Sequence, residues 1–175
     1  MSPEHSIAVA SLLVPVAAAV TYYDVRYRRI PNVVVLATLF GGLALNLSFA
    51  GPRGLLLSVA GCALALALML VLHVLGAMGA GDVKLFAAVG SLVGLPLVAQ
   101  TFLVVALTGG ALAVVSMVRA GSVRATLLNV LRIFAGLLPG WQMPRFAVPA
   151  DRRLTIPYGV AITAGSLISL AVFRA

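Results

Sequence analysis

The polar residues of this chain fall in a few short clusters. Between them run apolar stretches with no period of their own. A helix that is apolar on every side has no face to give to water, and a membrane-crossing helix needs about 20 such residues in a row. Runs of this kind cover residues 7–23, 33–50, 55–75, 97–118 and 154–173, and a shorter one covers 83–95. Gly51-Pro52 separates the second run from the third, and Pro96 separates 83–95 from 97–118. Proline lacks an amide donor and disfavours helix at the residue before it. A tight turn is therefore predicted near Pro96, not one continuous helix over 83–118. The pattern predicts an all-α, polytopic membrane protein of six transmembrane helices. They form a single membrane domain over residues 1–175, with no linker and no internal repeat. One stretch differs. Val123, Leu127, Val130, Leu131, Phe134 and Leu138 recur at helical spacing, with Ser122, Arg124, Asn129 and Arg132 on the other arc. This amphipathic segment reads as a helix lying in the membrane interface, or equally as a packed loop helix.

Composition sharpens the picture. The 175 residues are 62% hydrophobic and 9% charged, against about 45–50% and about 25% in soluble domains. A soluble fold of this size cannot hide so much apolar side chain. Cys62 is the one cysteine, which excludes a disulfide framework and a cysteine zinc site. The net charge of +8 arises from 12 basic and 4 acidic residues. In a soluble protein that balance would suggest nucleic acid. In a bilayer it reports orientation and contact with anionic lipid, so membrane lipid is the expected partner and nucleic acid is not. Ten of the basic residues fall in segments 24–32, 76–84 and 119–153, and only Arg53 and Arg174 fall on the other side. Basic loops stay in the cytoplasm, which puts both termini outside it. The first run follows Glu4 and His5 with no Lys or Arg. Despite Ala17-Ala18-Ala19, it reads as a span and not as a cleaved signal peptide.

The acids are Glu4, Asp24, Asp82 and Asp151. Glu4 decorates the external tail, and Asp151 has Arg152 and Arg153 beside it as surface partners. Asp24 ends the first run and Asp82 precedes the fourth, both on the cytoplasmic side. The topology thus brings two carboxylates, 58 positions apart, to one membrane depth. Carboxylates there are costly and mark functional sites. The plainer alternatives are a helix cap for Asp82 and an ion pair of Asp24 with Arg26 or Arg28. The glycines of Gly76-Ala77-Met78-Gly79-Ala80-Gly81, directly before Asp82, allow unusual backbone angles and close approach of another chain.

Two function classes follow. In one, the aspartates share a water as a proteolytic dyad: one carboxylate takes a proton from it and the other, protonated, polarises the scissile carbonyl. Asp82 meets the positive end of its helix, which suits the ionised role. Asp24 meets the negative end of its own, which suits the protonated one, with Arg26, Arg28 and Arg29 pulling the other way. In the other class the protein is a small carrier that relays protons or a cation, for which Asn46, Gln100 and His73 are the remaining polar candidates. The concentration of polar chemistry at one face favours the enzyme. No metal-ligand set is visible, so metal-free water activation is expected, with no cofactor.

Gly79-Ala80-Gly81-Asp82-Val83-Lys84-Leu85 resembles the GxGD-x-K pattern of the type IV prepilin peptidases. Asp24 followed by Ile30-Pro31-Asn32 resembles the other half of that signature. Ile156-Pro157-Tyr158-Gly159-Val160-Ala161 resembles its third landmark, which opens the last span. The landmarks occur in order, and the resemblance covers roughly residues 8–170. It implies a membrane aspartyl endopeptidase of the bacterial inner membrane. Such an enzyme removes the basic leader from a prepilin or pseudopilin at the cytoplasmic face. Asp24 and Asp82 carry over as the catalytic pair. Gly79 and Gly81 would shape the backbone there, and Lys84 would orient substrate or support structure. Pro31, Asn32, Pro157, Tyr158 and Gly159 would support the site. The layout resembles the short peptidases of tight-adherence (Flp-type) pilus systems, with an archaeal preflagellin peptidase as a related alternative. About six residues precede the first run and no Cys-x-x-Cys pair is present, so N-methyltransferase activity is expected to be absent.

Overall fold

The computed structural model describes residues 2–76, 78–119 and 158–173. All regular structure among them is helical: α1 (Pro3–Tyr27), α2 (Asn32–Val74), α3 (Ala80–Val93), α4 (Leu95–Arg119) and α5 (Tyr158–Phe173). Among the described residues α1, α2 and α4 are long and apolar enough to cross a membrane, and α5 is a shorter apolar helix. α2 carries two of the expected runs and is broken at Gly51, whose φ of 59° and ψ of −149° are not helical. Met1–Gly109 with Pro157–Ala175 forms one compact unit and Gly110–Ile156 a second. Of the second, only the last part of α4 is described. The predicted interface segment over 122–138, Asp151 and Pro157 lie outside the described residues.

Local chemistry explains the helix ends. Ser2 caps α1, its Oγ accepting the His5 amide at 3.2 Å, and Pro3 follows where its missing donor costs nothing. α1 closes on Arg28, a left-handed residue with φ 52° whose amide reaches the Asp24 carbonyl at 3.1 Å. Pro31 is the extended N-cap of α2, so that helix begins one residue later than the proline. α3 begins at Ala80 with Gly79 as N-cap, three residues before the apolar run starts, and Asp82 therefore belongs to its first turn. The expected break near Pro96 lies two residues earlier, at Gly94 (φ 72°). Only glycine adopts that angle freely, whereas Pro96 fits the opening turn of α4.

α3 is the centre of the first unit, with ten of its fourteen residues buried. Both halves of α2 hold it. From 32–50, Asn46 donates through Nδ2 to the carbonyls of Ser91 (3.0 Å) and Leu92 (3.2 Å). From 52–74, Ser58 donates through Oγ to the same Ser91 carbonyl at 2.5 Å. A Cβ on Gly61 would stand 2.5 Å from the Gly90 carbonyl, and one on Gly90 2.6 Å from the Gly61 carbonyl. The two backbones touch, as small residues allow between apolar helices. α1 packs against α2 and α5, and α5 also meets α3.

Candidate functional site

The site is built at one end of the first unit, where α1 finishes and α3 and α5 begin. Asp24 lies in the last turn of α1 and is only 7% exposed. Its Oδ2 accepts the amide of Gly159 at 2.8 Å, a bond spanning 135 positions, and the Val160 amide bears on the same carboxylate. These amides are among the orphan donors that open every helix. The Asp24 side chain thus satisfies the start of α5 as well as ending α1. The helix-end assignment from the sequence is therefore incomplete. Asp24 meets the negative end of its own helix and the positive end of α5 together.

Asp82 occupies the third position of α3, and its own amide reaches the Gly79 carbonyl at 3.1 Å. The Gly79 amide bears on its carboxylate, which is the acidic half of a capping box. A capping role for Asp82 thus does not by itself exclude a chemical one. Asp82 lies outside the three long apolar helices. Burial foremost, and then the charge of Asp24, push its carboxyl up to about 6, against a smaller opposing pull from the Gly79 amide. The two carboxylates are thus within electrostatic reach of each other. Tyr158, half-buried, faces the Asp82 charge, while its neighbour Gly159 binds Asp24. Consecutive residues at the start of α5 are thus tied to the two acids, Gly159 by a hydrogen bond and Tyr158 through the charge of Asp82.

The glycines differ in what they permit. A Cβ on Gly159 would stand 2.8 Å from Asp24 Oδ2 and 2.9 Å from Val20 Cγ1, so no side chain fits without moving the carboxylate. A Cβ on Gly79 would stand 3.2 Å from Asp82 Oδ2, a tight contact. A Cβ on Gly81 would stand 3.9 Å from Ile30 Cβ, an ordinary contact. This brings the segment that leads into Pro31 and Asn32 against the glycine strip. Pro31 acts as a cap, its carbonyl accepting the amides of Val34 and Val35. Asn32 is exposed. Lys84 is exposed too, and at two positions from Asp82 it points from a different helix face.

Of the three residues weighed for a carrier, Asn46 and His73 are engaged in structural hydrogen bonds and Gln100 is not. Asn46 spends its amide nitrogen on carbonyls of α2 and α3. His73 donates through Nδ1 to the Met78 carbonyl at 2.8 Å, tying the end of α2 to the glycine strip before Asp82. Gln100 keeps a buried Oε1 without a protein partner. The charge of Arg28 bears on Asp24, a role for which the sequence offered only proximity as a signal. The His73 tie had no sequence signal, because it depends on how the loop folds back.

The model of the type IV leader peptidase family matches residues 11–114, which include both aspartates. No curated protein and no solved structure matches the chain.

Proposed function

Because this chain belongs to the type IV leader peptidase family, and is thus a peptidase, we propose that it hydrolyses the leader of a prepilin-like substrate with Asp24 and Asp82 as a metal-free aspartyl dyad. The observation that carries this reading is that the Gly159 amide holds the Asp24 carboxylate at the start of α5 while the charge of Asp24 bears on Asp82. One ionised carboxylate takes a proton from water. The resulting hydroxide attacks the scissile carbonyl carbon, and the partner acid delivers its proton to the carbonyl oxygen. Collapse of the tetrahedral intermediate breaks the C–N bond: the proton first taken from water passes to the leaving amine, and a hydroxyl proton of the intermediate returns to the partner carboxylate as the new carboxyl group forms. One proton is conserved on the pair, which requires two carboxylates that do not both ionise at modest cost.

The charge asymmetry supports a cytoplasmic site in a six-span arrangement. The basic leader would remain in the cytoplasm while the apolar segment of the substrate lies against the helices. The scissile bond must be extended, since helical backbone withholds its carbonyls from attack. Co-expression of a candidate prepilin with wild type, Asp24→Asn and Asp82→Asn tests the reading by the mass of the pilin. Cleavage is expected with wild type only. Equal processing by all three chains would remove the dyad.

A further inference from the structure

One residue holds the loop between α2 and α3 at both of its ends. His73, in the last turn of α2, accepts the Gly76 amide through its backbone carbonyl at 2.8 Å. Its ring Nδ1 reaches the Met78 carbonyl at 2.8 Å. A carbonyl only accepts, so the ring proton in this bond is on Nδ1. Histidines near a helix C-terminus commonly bond the last carbonyls of their own helix. Here the ring acceptor belongs instead to the loop that follows. Gly76 adopts a φ of 75°, which suits glycine alone, and Met78 packs its side chain against the buried core.

The Met78 carbonyl and the Gly79 amide are the two polar ends of one peptide group. That group is trans, which points its C=O and its N–H in opposite directions. The C=O meets His73. The N–H bears on the Asp82 carboxylate, whose Oδ2 stands 3.2 Å from where a Gly79 Cβ would be. The next carbonyl along, that of Gly79, accepts the Asp82 amide at 3.1 Å. A single peptide plane thus joins an imidazole on α2 to an acid on α3. A hydrogen bond to a carbonyl polarises the amide of the same peptide group and makes it a better donor. It also fixes the plane, and with it the direction of the N–H. Gly79, Ala80 and Gly81 carry no polar side chain that could supply such an anchor.

We propose that His73 is a positioning residue for the aspartyl dyad, acting on Asp82 through the Met78–Gly79 peptide group. Its part in catalysis rests on the peptidase reading, whereas its hold on Asp82 does not. The imidazole touches neither the attacking water nor the substrate. It keeps the Gly79 N–H aimed at the carboxylate, which favours the ionised form and holds the side chain in place. The other titratable groups that bear on Asp82 are Asp24 from α1 and Tyr158 from α5. Neither is bonded to His73, so a change at position 73 reaches Asp82 through the peptide group.

The test compares His73→Leu, which removes the donor, with His73→Asn, whose side-chain amide sets a nitrogen at the position of Nδ1. Carboxyl ¹³C titration of the full chain in detergent reads the Asp82 midpoint without any substrate. His73→Leu should have the higher midpoint of the two, because a slackened Gly79 amide favours the carboxylate less. In prepilin cleavage, kcat of His73→Leu should fall about three- to tenfold below wild type, the equivalent of one net hydrogen bond, with KM within about twofold. His73→Asn should recover most of that loss. The charge and the bulk of the imidazole are lost alike in both variants. Equal midpoints in the two, or equal cleavage by them where wild type cleaves, would therefore overturn the proposal. If the variants do not fold, the neutral ring of His73 in the wild type decides. Its ¹⁵N shifts should place the proton on Nδ1, and a proton on Nε2 would overturn the proposal as well. Should wild type cleave no prepilin, the peptidase reading fails, while the difference in midpoint still decides the hold of His73 on Asp82.

Discussion

At the scale of single residues, the site turns on a missing side chain. Gly159 brings its amide to 2.8 Å from Asp24 Oδ2 because it has no Cβ to meet that oxygen first. Gly159→Ala should fold but push the carboxylate aside. A displacement of about 1 Å in a reacting group costs about a hundredfold in rate, so prepilin cleavage should fall by about ten- to a hundredfold. Cleavage by Gly159→Ala at the wild-type rate would show that the contact does not matter. Asp82 gives a second check at this scale. A neighbouring negative charge raises a carboxyl and its removal lowers it again, towards the ordinary value of about 4. Carboxyl ¹³C titration should give a midpoint near 6 for Asp82 in wild type, and a lower one in Asp24→Asn. The sign also shapes the rate profile. As pH rises past that midpoint the pair loses its last proton, so kcat/KM should decline on the alkaline side.

At the scale of elements, α3 depends on the way α2 reverses. Asn46 and Ser58 lie on opposite sides of Gly51 and both reach the Ser91 carbonyl, which a straight helix cannot do. The reversal needs the φ of 59° and ψ of −149° at Gly51, a region almost reserved for glycine that costs other residues about 1–3 kcal/mol. A Cβ at Gly51 would meet nothing within 4 Å, so Gly51→Ala isolates the backbone effect from any clash. Thermal unfolding in detergent should report a loss of that size. An unchanged midpoint would mean that the angle is not required. The sequence marked this break through Gly51-Pro52, and it marked the turn near Pro96. In both places glycine makes the bend, and proline follows in the helix that comes next. Residues 80–82 were not legible as helix because Gly81 and Asp82 are poor helix formers and precede the apolar run. The tertiary contacts of α3 and the cap at Gly79 draw them in.

At the scale of the whole molecule, the orientation of the proposed six-span arrangement is testable. In that arrangement ten basic residues fall on one side and two on the other, a bias that lipid and translocation machinery would read without reference to the fold. Cys62→Ala supplies a background for labelling, into which Ser2→Cys and Arg29→Cys are introduced singly. A membrane-impermeant thiol reagent applied to intact cells should modify the cysteine at position 2 and spare the one at 29. The reverse pattern would invert the orientation and move the aspartates to the outer face.

The apolar runs, their breaks and the charge bias were all readable in the linear chain, because each reflects how a local stretch partitions between lipid and water. The candidacy of Asp24 and Asp82 was readable as well, since a charge at the edge of an apolar run is conspicuous without any neighbour. The resemblance placed Tyr158 and Gly159 near the site, but only the folded chain decided that the Gly159 amide binds Asp24 while the Asp82 charge bears on Tyr158, and that α3 is clamped by both halves of α2. Those facts join residues as far as 135 positions apart. Such pairings are set by how helices pack, and a sequence pattern with a period of a few residues carries no record of them.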